Sequence, residues 1–232
     1  MLLTRRIVNA GSAIGWAGCL IIAYLAAVTL YAFLAPAEAA ERQTIFDLGL
    51  LVPALAATVL CGAAAWRWGR TRQGWSWLLL GLATSACLLG EATWAYYELI
   101  LGVEVPTPSI ADVSYALYYP LGFAGLVLQL APSQGRRHSI ISALDAVLFT
   151  LGSGALSWKL LLQPLLRDST DPLLAAVNIS WPIGDQLVLF ATVSLLLRWR
   201  LDRVPVQSLA LLLGAACALF ADTAFIVLND RA

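Results

Sequence analysis

An all-α, polytopic transmembrane helical bundle of seven spans is the architecture that these 232 residues imply. Hydrophobic residues make up 60% of the chain and charged residues only 12%, against roughly 25% charged in an ordinary soluble domain. A mean hydropathy of +0.80 leaves more apolar surface than one water-facing core can hide, so the excess must meet lipid. The third observation is a recurrence. Apolar runs of about 20 or more residues, the length that crosses about 30 Å of hydrocarbon, follow one another from end to end of the chain.

The runs occupy residues 11–34, 45–66, 75–101, 111–131, 140–165, 172–197 and 206–228. Turn and charge signals separate them: Pro36 with Glu38 and Glu41, then Gly69 to Gly74, Pro106 and Pro108, Ser133 to Ser139, Arg167 to Asp171, and Arg198 to Pro205. None of these breaks is long enough for a soluble domain, so residues 1–232 read as a single transmembrane domain. Arg5 and Arg6 before the first run, and the small residues Ala35 to Ala40 after it, also suit a signal peptide. An h-region is about 7 to 15 residues long, however, and this run is longer, which favours a retained span.

Cationic residues set the orientation, because Lys and Arg collect in cytoplasmic loops. Ten of the fourteen fall on one side: Arg5, Arg6, Arg67, Arg70, Arg72, Arg136, Arg137, Arg198, Arg200 and Arg203. Arg42, Arg167 and Arg231 fall on the other, and Lys159 lies within a span nearer to it. The N-terminus is therefore expected in the cytoplasm of a multi-pass inner-membrane protein.

Sliding the sequence on itself by 131 residues places Arg67-Trp68 on Arg198-Trp199, Glu91 on Asp222 and Trp94 on Phe225. This predicts two parallel copies of a four-helix unit, the first over about 7–131 and an incomplete second over about 138–232. The second copy then lacks its fourth helix. An eighth span would be expected beyond Ala232, making the chain the N-terminal piece of a longer protein.

Several function classes are disfavoured. Fourteen basic residues balance fourteen acidic ones, which leaves no basic face for nucleic acid. Cys19, Cys61, Cys87 and Cys217 lie inside apolar runs without metal-ligand spacing. His138 is the only histidine and sits beside Arg136 and Arg137 in a break, which excludes bis-histidine haem. The intramembrane Lys159 is not on the last span, where rhodopsins carry their Schiff-base lysine. Asn178-Ile179-Ser180 lies within an apolar run, where it cannot be glycosylated. Gly152-Ser153-Gly154 and Gly11-Ser12-Ala13 read as places of close helix approach. No catalytic constellation, metal site or cofactor site is expected.

What remains is the set of polar side chains inside the spans, of which each charged one costs about 2.5 to 3.5 kcal/mol at the bilayer centre on insertion scales. Glu91 and Asp222 lie about two-thirds of the way through spans three and seven, Asp185 near the middle of span six and Lys159 in the outer half of span five. They are expected either to gather in one interior cluster that binds a ligand or proton, or to tie helices together by polar contacts. Glu91, Trp94 and Glu98 fall at i, i+3 and i+7 on one helical face, and Asp112, Tyr115 and Tyr119 repeat that spacing on span four. Ser109 or Asp112 is placed to cap span four. Together these acids and aromatics would line an outward-facing pocket for a small polar or cationic molecule. Tyr96 and Tyr118 fit an ordinary aromatic belt.

The runs Gly90-Glu91-Ala92-Thr93-Trp94-Ala95-Tyr96-Tyr97-Glu98, Pro108-Ser109-Ile110-Ala111-Asp112-Val113-Ser114-Tyr115 and Tyr119-Pro120-Leu121-Gly122 resemble the multispan N-terminal regions of bacterial GGDEF and EAL signalling proteins. Leu144-Asp145, Trp158, Trp181-Pro182 with Asp185, and Ala221-Asp222 extend the resemblance over roughly 75–232. Glu91 stands where an Asp is more usual. The resemblance implies a membrane input domain coupled to a cytoplasmic cyclic-di-GMP synthase, hydrolase or kinase. Its expected partners are the lipid bilayer, a small polar or cationic ligand, the output module and a second copy of the chain. A small-solute transporter and a structural scaffold are the alternatives from other classes.

Overall fold

A computed structural model of the protein describes residues 39–106, 108–129, 135–159 and 172–197, together with positions 23, 24, 27, 28, 31 and 163. The helices delimited among these residues are α1 (Ala39–Trp68), α2 (Arg72–Ala95), α3 (Ile110–Gln129), α4 (Gly135–Ser157) and α5 (Pro172–Leu197), with a π-helical segment, Tyr96–Leu101, prolonging α2. Among the described residues there is no strand. Four stretches of the described residues are long and apolar enough to cross a membrane: Asp47–Trp68, Arg72–Leu101, Ile110–Gln129 and Ala175–Leu197. The described part of this membrane protein is thus helical, and these stretches correspond to the second, third, fourth and sixth expected spans. The fifth is represented by α4, whose apolar part, Leu144–Ser157, is shorter. The expected seventh span, with the Asp222 expected to match Glu91, lies outside the described residues.

The α1–α2 turn is built from local chemistry. Gly69 takes φ +55°, a left-handed conformation that a side chain would strain, and its N–H bonds to the Ala65 carbonyl at 3.0 Å. The Thr71 hydroxyl then donates to the Trp68 carbonyl at 2.9 Å and accepts from the Gly74 N–H at 3.1 Å, capping α2. A Cβ on Gly74 would collide with the Gly69 carbonyl oxygen, so the tight return depends on that missing atom.

The opposite end of α2 closes differently. The π segment ends at Gly102, whose φ of 62° turns the chain while its N–H bonds to the Tyr97 carbonyl. Val103 donates to the same carbonyl at 3.2 Å. After the short connection, Ser109 and Asp112 start α3 with a reciprocal cap. The Ser109 N–H donates to Asp112 Oδ2 at 2.7 Å, and the Ala111 N–H donates to Ser109 Oγ at 3.2 Å. Both residues expected as alternative caps therefore act together, in the manner of a capping box.

The helices pack in the order α1, α2, α3, α5, α4. Lipid supplies no hydrophobic force between them, so small residues and hydrogen bonds do the joining. Between α2 and α3, Ser76 Oγ donates to the Gly125 carbonyl at 2.8 Å, and Leu80 fills the space that a Cβ on Gly125 would need, 2.8 Å away. Tyr24, from the first apolar run, donates to the Gly49 carbonyl of α1 at 3.3 Å. Leu48, Val52, Leu55 and Val59 on α1 are exposed, at a spacing that forms one stripe turned toward lipid.

Between α4 and α5, Ser153 Oγ donates to Gln186 Oε1 at 2.7 Å, and Gln186 Nε2 donates to Ser157 Oγ at 3.0 Å. Ala146, Leu189 and Val193 bury a small apolar core beside this ladder. The close-approach reading of Gly152-Ser153-Gly154 needs correction here. A Cβ on either glycine would meet nothing within 4 Å, and it is the serine between them that holds the neighbouring helix. Pro53, Pro120 and Pro182 lie within helices, which a bundle tolerates when neighbours and local adjustment satisfy the freed backbone groups.

Gly74→Ala is expected to lower stability by about 1 to 3 kcal/mol through overpacking at the turn, whereas Gly62→Ala, whose Cβ would meet nothing within 4 Å, should show no loss. Gln186→Ala should cost about 0.6 to 1.7 kcal/mol, the range for hydrogen bonds between membrane helices. Unfolding of the purified protein in detergent measures all three.

Candidate functional site

The acids expected on span three reach two different helices. Glu91, in the last part of α2, is within hydrogen-bonding reach of the Tyr115 hydroxyl on α3. Glu98 lies in the π segment, where its side chain is within hydrogen-bonding reach of Asp47 at the start of the α1 span. Asp47 is also in electrostatic reach of Glu91, so these acids form one group bridging α1, α2 and α3. The expectation of a single straight face through Glu91, Trp94 and Glu98 assumed an unbroken α-helix. The i→i+5 bonding of Tyr96–Leu101 changes the angular step beyond Ala95. Trp94 is half-buried.

An ionised carboxylate accepts hydrogen bonds and cannot donate one. A bond between Asp47 and Glu98 therefore requires a proton on one of them. Asp47 Oδ2 is buried without a hydrogen-bond partner among the described residues, which leaves an acceptor facing the interior. Among those residues no group of three or more Asp, Glu, His or Cys is arranged to hold a metal ion. The chemistry this arrangement can perform is the uptake and release of a proton, or the binding of a small organic cation among carboxylates and aromatic faces.

Two tyrosines of α3 carry the group toward α5. The Tyr115 ring lies over Gly90, where a Cβ would come within 2.6 Å of it, and meets Trp181 of α5 edge-on with ring centres 6.3 Å apart. Tyr119 is buried and fills the notch at Gly184, where a Cβ would collide with its ring. Trp181, Gly184 and Asp185 stand at i, i+3 and i+4 on α5, hence on one face. Asp185 is 6% exposed, and the indole Nε1 of Trp181 is buried with no hydrogen-bond partner among the described residues.

The remaining expected site residues do not all converge. Asp112 is buried, but its Oδ2 is taken by Ser109, through the backbone N–H at 2.7 Å and the hydroxyl at 3.2 Å. Its first duty is to start α3. Lys159 is exposed just beyond α4, as suits a long cationic side chain reaching for the membrane boundary, rather than an interior partner for the acids. Asp222 lies outside the described residues. Tyr96 is 49% exposed, in keeping with a belt position, and Tyr118 packs edge-on against Tyr119.

Asp47 is the functional candidate that sequence reasoning missed. It is the only acid between Glu41 and Glu91, and folding the chain back at Gly69–Thr71 brings the start of α1 level with the end of α2. That pairing was the available signal. Gln186, with Ser153 and Ser157, was also missed, since uncharged polar residues in apolar runs carry little weight one at a time.

Gly90→Ala is expected to cost about 1 to 3 kcal/mol by driving the Tyr115 ring off α2. Tyr115→Leu in the same chain should recover part of that loss. A double-mutant cycle on unfolding in detergent should give a coupling of about 0.5 to 3 kcal/mol, and additive losses would show that the contact is not formed.

Compared with known proteins, the chain matches no family model, no curated protein and no solved structure, and nothing in these comparisons identifies a GGDEF- or EAL-associated input domain.

Proposed function

We propose that this chain is the membrane input domain of a bacterial signalling protein, in which protonation or cation occupancy of the Asp47, Glu91 and Glu98 group biases helix packing and passes a stimulus to a cytoplasmic cyclic-di-GMP or kinase output. The observation that carries this reading is the continuity from acids to helix contacts: Asp47 with Glu98, Glu91 with Tyr115, and Tyr115 with Trp181. A charge change at the acids thereby acts on the contacts of α1, α2, α3 and α5 together. Couplings of this kind are worth typically 1 to 3 kcal/mol, or 5- to 150-fold in an equilibrium.

The bias of arginines to one side supports an inner-membrane orientation with the N-terminus in the cytoplasm. The acid group then belongs to the outer half of the bundle, open to external protons or to a small cationic solute. Asp185, buried on α5, is a secondary member of the proposed mechanism, whereas Lys159 is exposed beyond α4 and Asp222 lies outside the described residues.

The test is a strain that expresses the protein and reports cyclic-di-GMP while external pH is stepped. Glu91→Gln and Glu98→Gln should each shift the midpoint of the response at least about fivefold in proton concentration, with membrane abundance unchanged. An unchanged response in both variants, at normal abundance, counts against the sensory reading and moves the scaffold reading ahead. Proton or cation flux through proteoliposomes of the purified protein, abolished by Glu91→Gln, would establish a transporter instead.

A further inference from the structure

We propose that the cleft at the α1–α2 turn binds one anionic phospholipid, with Arg70 and the nearby Arg67 on its phosphate and an acyl chain lying between Trp66 and Trp75. The site is separate from the acid group, at the other end of the same two helices. Its volume is about 360 Å³, within the range of about 300 to 1,000 Å³ that small-molecule sites occupy. Its lining includes Gly62, Ala65, Trp66, Arg70, Trp75 and Leu78; along the two helices the apolar Gly62 and Leu78 lie farthest from the turn, as its floor, and Arg70 lies in the turn, at its mouth.

Position comes first. The α1 span ends at Trp68 and the next begins at Arg72, so the floor lies beside hydrocarbon and the mouth at the headgroup level. Trp66 is 89% exposed and Trp75 52% exposed. Indoles so exposed at a span's end meet the membrane interface, where Trp is enriched.

Charge selects the headgroup. Arg67, Arg70 and Arg72 fall within six residues, and no acid occurs between Asp47 and Glu91. Arg67 and Arg70 make no ion pair among the described residues. A guanidinium at the boundary presents paired N–H donors that match phosphate oxygens, and basic pockets between spans recognise lipid headgroups. A soluble anion would gain nothing from the apolar floor, whereas a phospholipid uses both parts. The groove exists because Gly62 and Gly69 leave space open, with nothing within 4 Å of where a Cβ would stand.

The experiment uses the purified full chain in mild detergent and native mass spectrometry, with dioleoyl phosphatidylglycerol, dioleoyl phosphatidylcholine and inorganic phosphate as probes. The expected result is retention of one phosphatidylglycerol in preference to phosphatidylcholine. Arg67→Gln and Arg70→Gln should each weaken retention about fivefold, and Gly62→Leu, which fills the floor without removing charge, should lose it with helix content intact. Equal retention of the two lipids overturns the proposal, as does displacement by inorganic phosphate alone. Should the arginine variants not fold, undiminished phosphatidylglycerol retention by Gly62→Leu overturns it independently.

Discussion

The contact on which the bundle turns is the seating of Tyr115 over Gly90, with its hydroxyl within reach of Glu91 and its ring roughly perpendicular to that of Trp181. Inside hydrocarbon a carboxyl group without a partner is expensive, and a phenol without one is scarcely better placed. Each solves the other's problem only if the α2 backbone comes close enough, and glycine is what allows that approach. Once the ring is seated, the distance between α2 and α3 is set. The parallel notch for Tyr119 at Gly184 then holds α5 against the same helix.

The two ends of the α2 hairpins divide the work. At the Gly69–Thr71 end, geometry is enforced by steric exclusion and by capping, and the surroundings are cationic. At the Gly102–Ser109 end, the chain is held by a left-handed glycine and by the Ser109–Asp112 exchange, and the surroundings are acidic. A membrane helix cannot leave terminal N–H groups unsatisfied near hydrocarbon. This explains why an acid that looks like a ligand, Asp112, is committed to the backbone.

Much of the architecture was legible because hydrocarbon thickness imposes a length on apolar runs: the second, third, fourth and sixth spans correspond to helices of the expected extent. Capping at Ser109 and Asp112 was legible for the same kind of local reason, since the spacing of a hydroxyl and a carboxylate determines what they can reach. The Asp47–Glu98 meeting was not, because it depends on antiparallel pairing across a turn and on a change of helical pitch. Nothing in Tyr96-Tyr97-Glu98-Leu99-Ile100-Leu101 announces a π segment, whose hydrogen bonds are chosen by tertiary fit. Gly152 and Gly154 misled for a related reason: small residues allow close approach but do not compel it. Polar residues identified one by one likewise could not show which neighbour each would face, as the differing placements of Glu91, Glu98 and Lys159 demonstrate.

The π segment has a mechanical meaning. Compared with an α-helix, it carries one residue of slack within a helix that stays hydrogen-bonded throughout. If that slack were taken up, everything beyond it would turn by about 100° and advance by about 1.5 Å, one α-helical step. Glu98 would swing away from Asp47, and the segment leading to Ser109 would be carried with it. Such a joint converts a small displacement along a helix axis into a large rotation at its end, without breaking the helix.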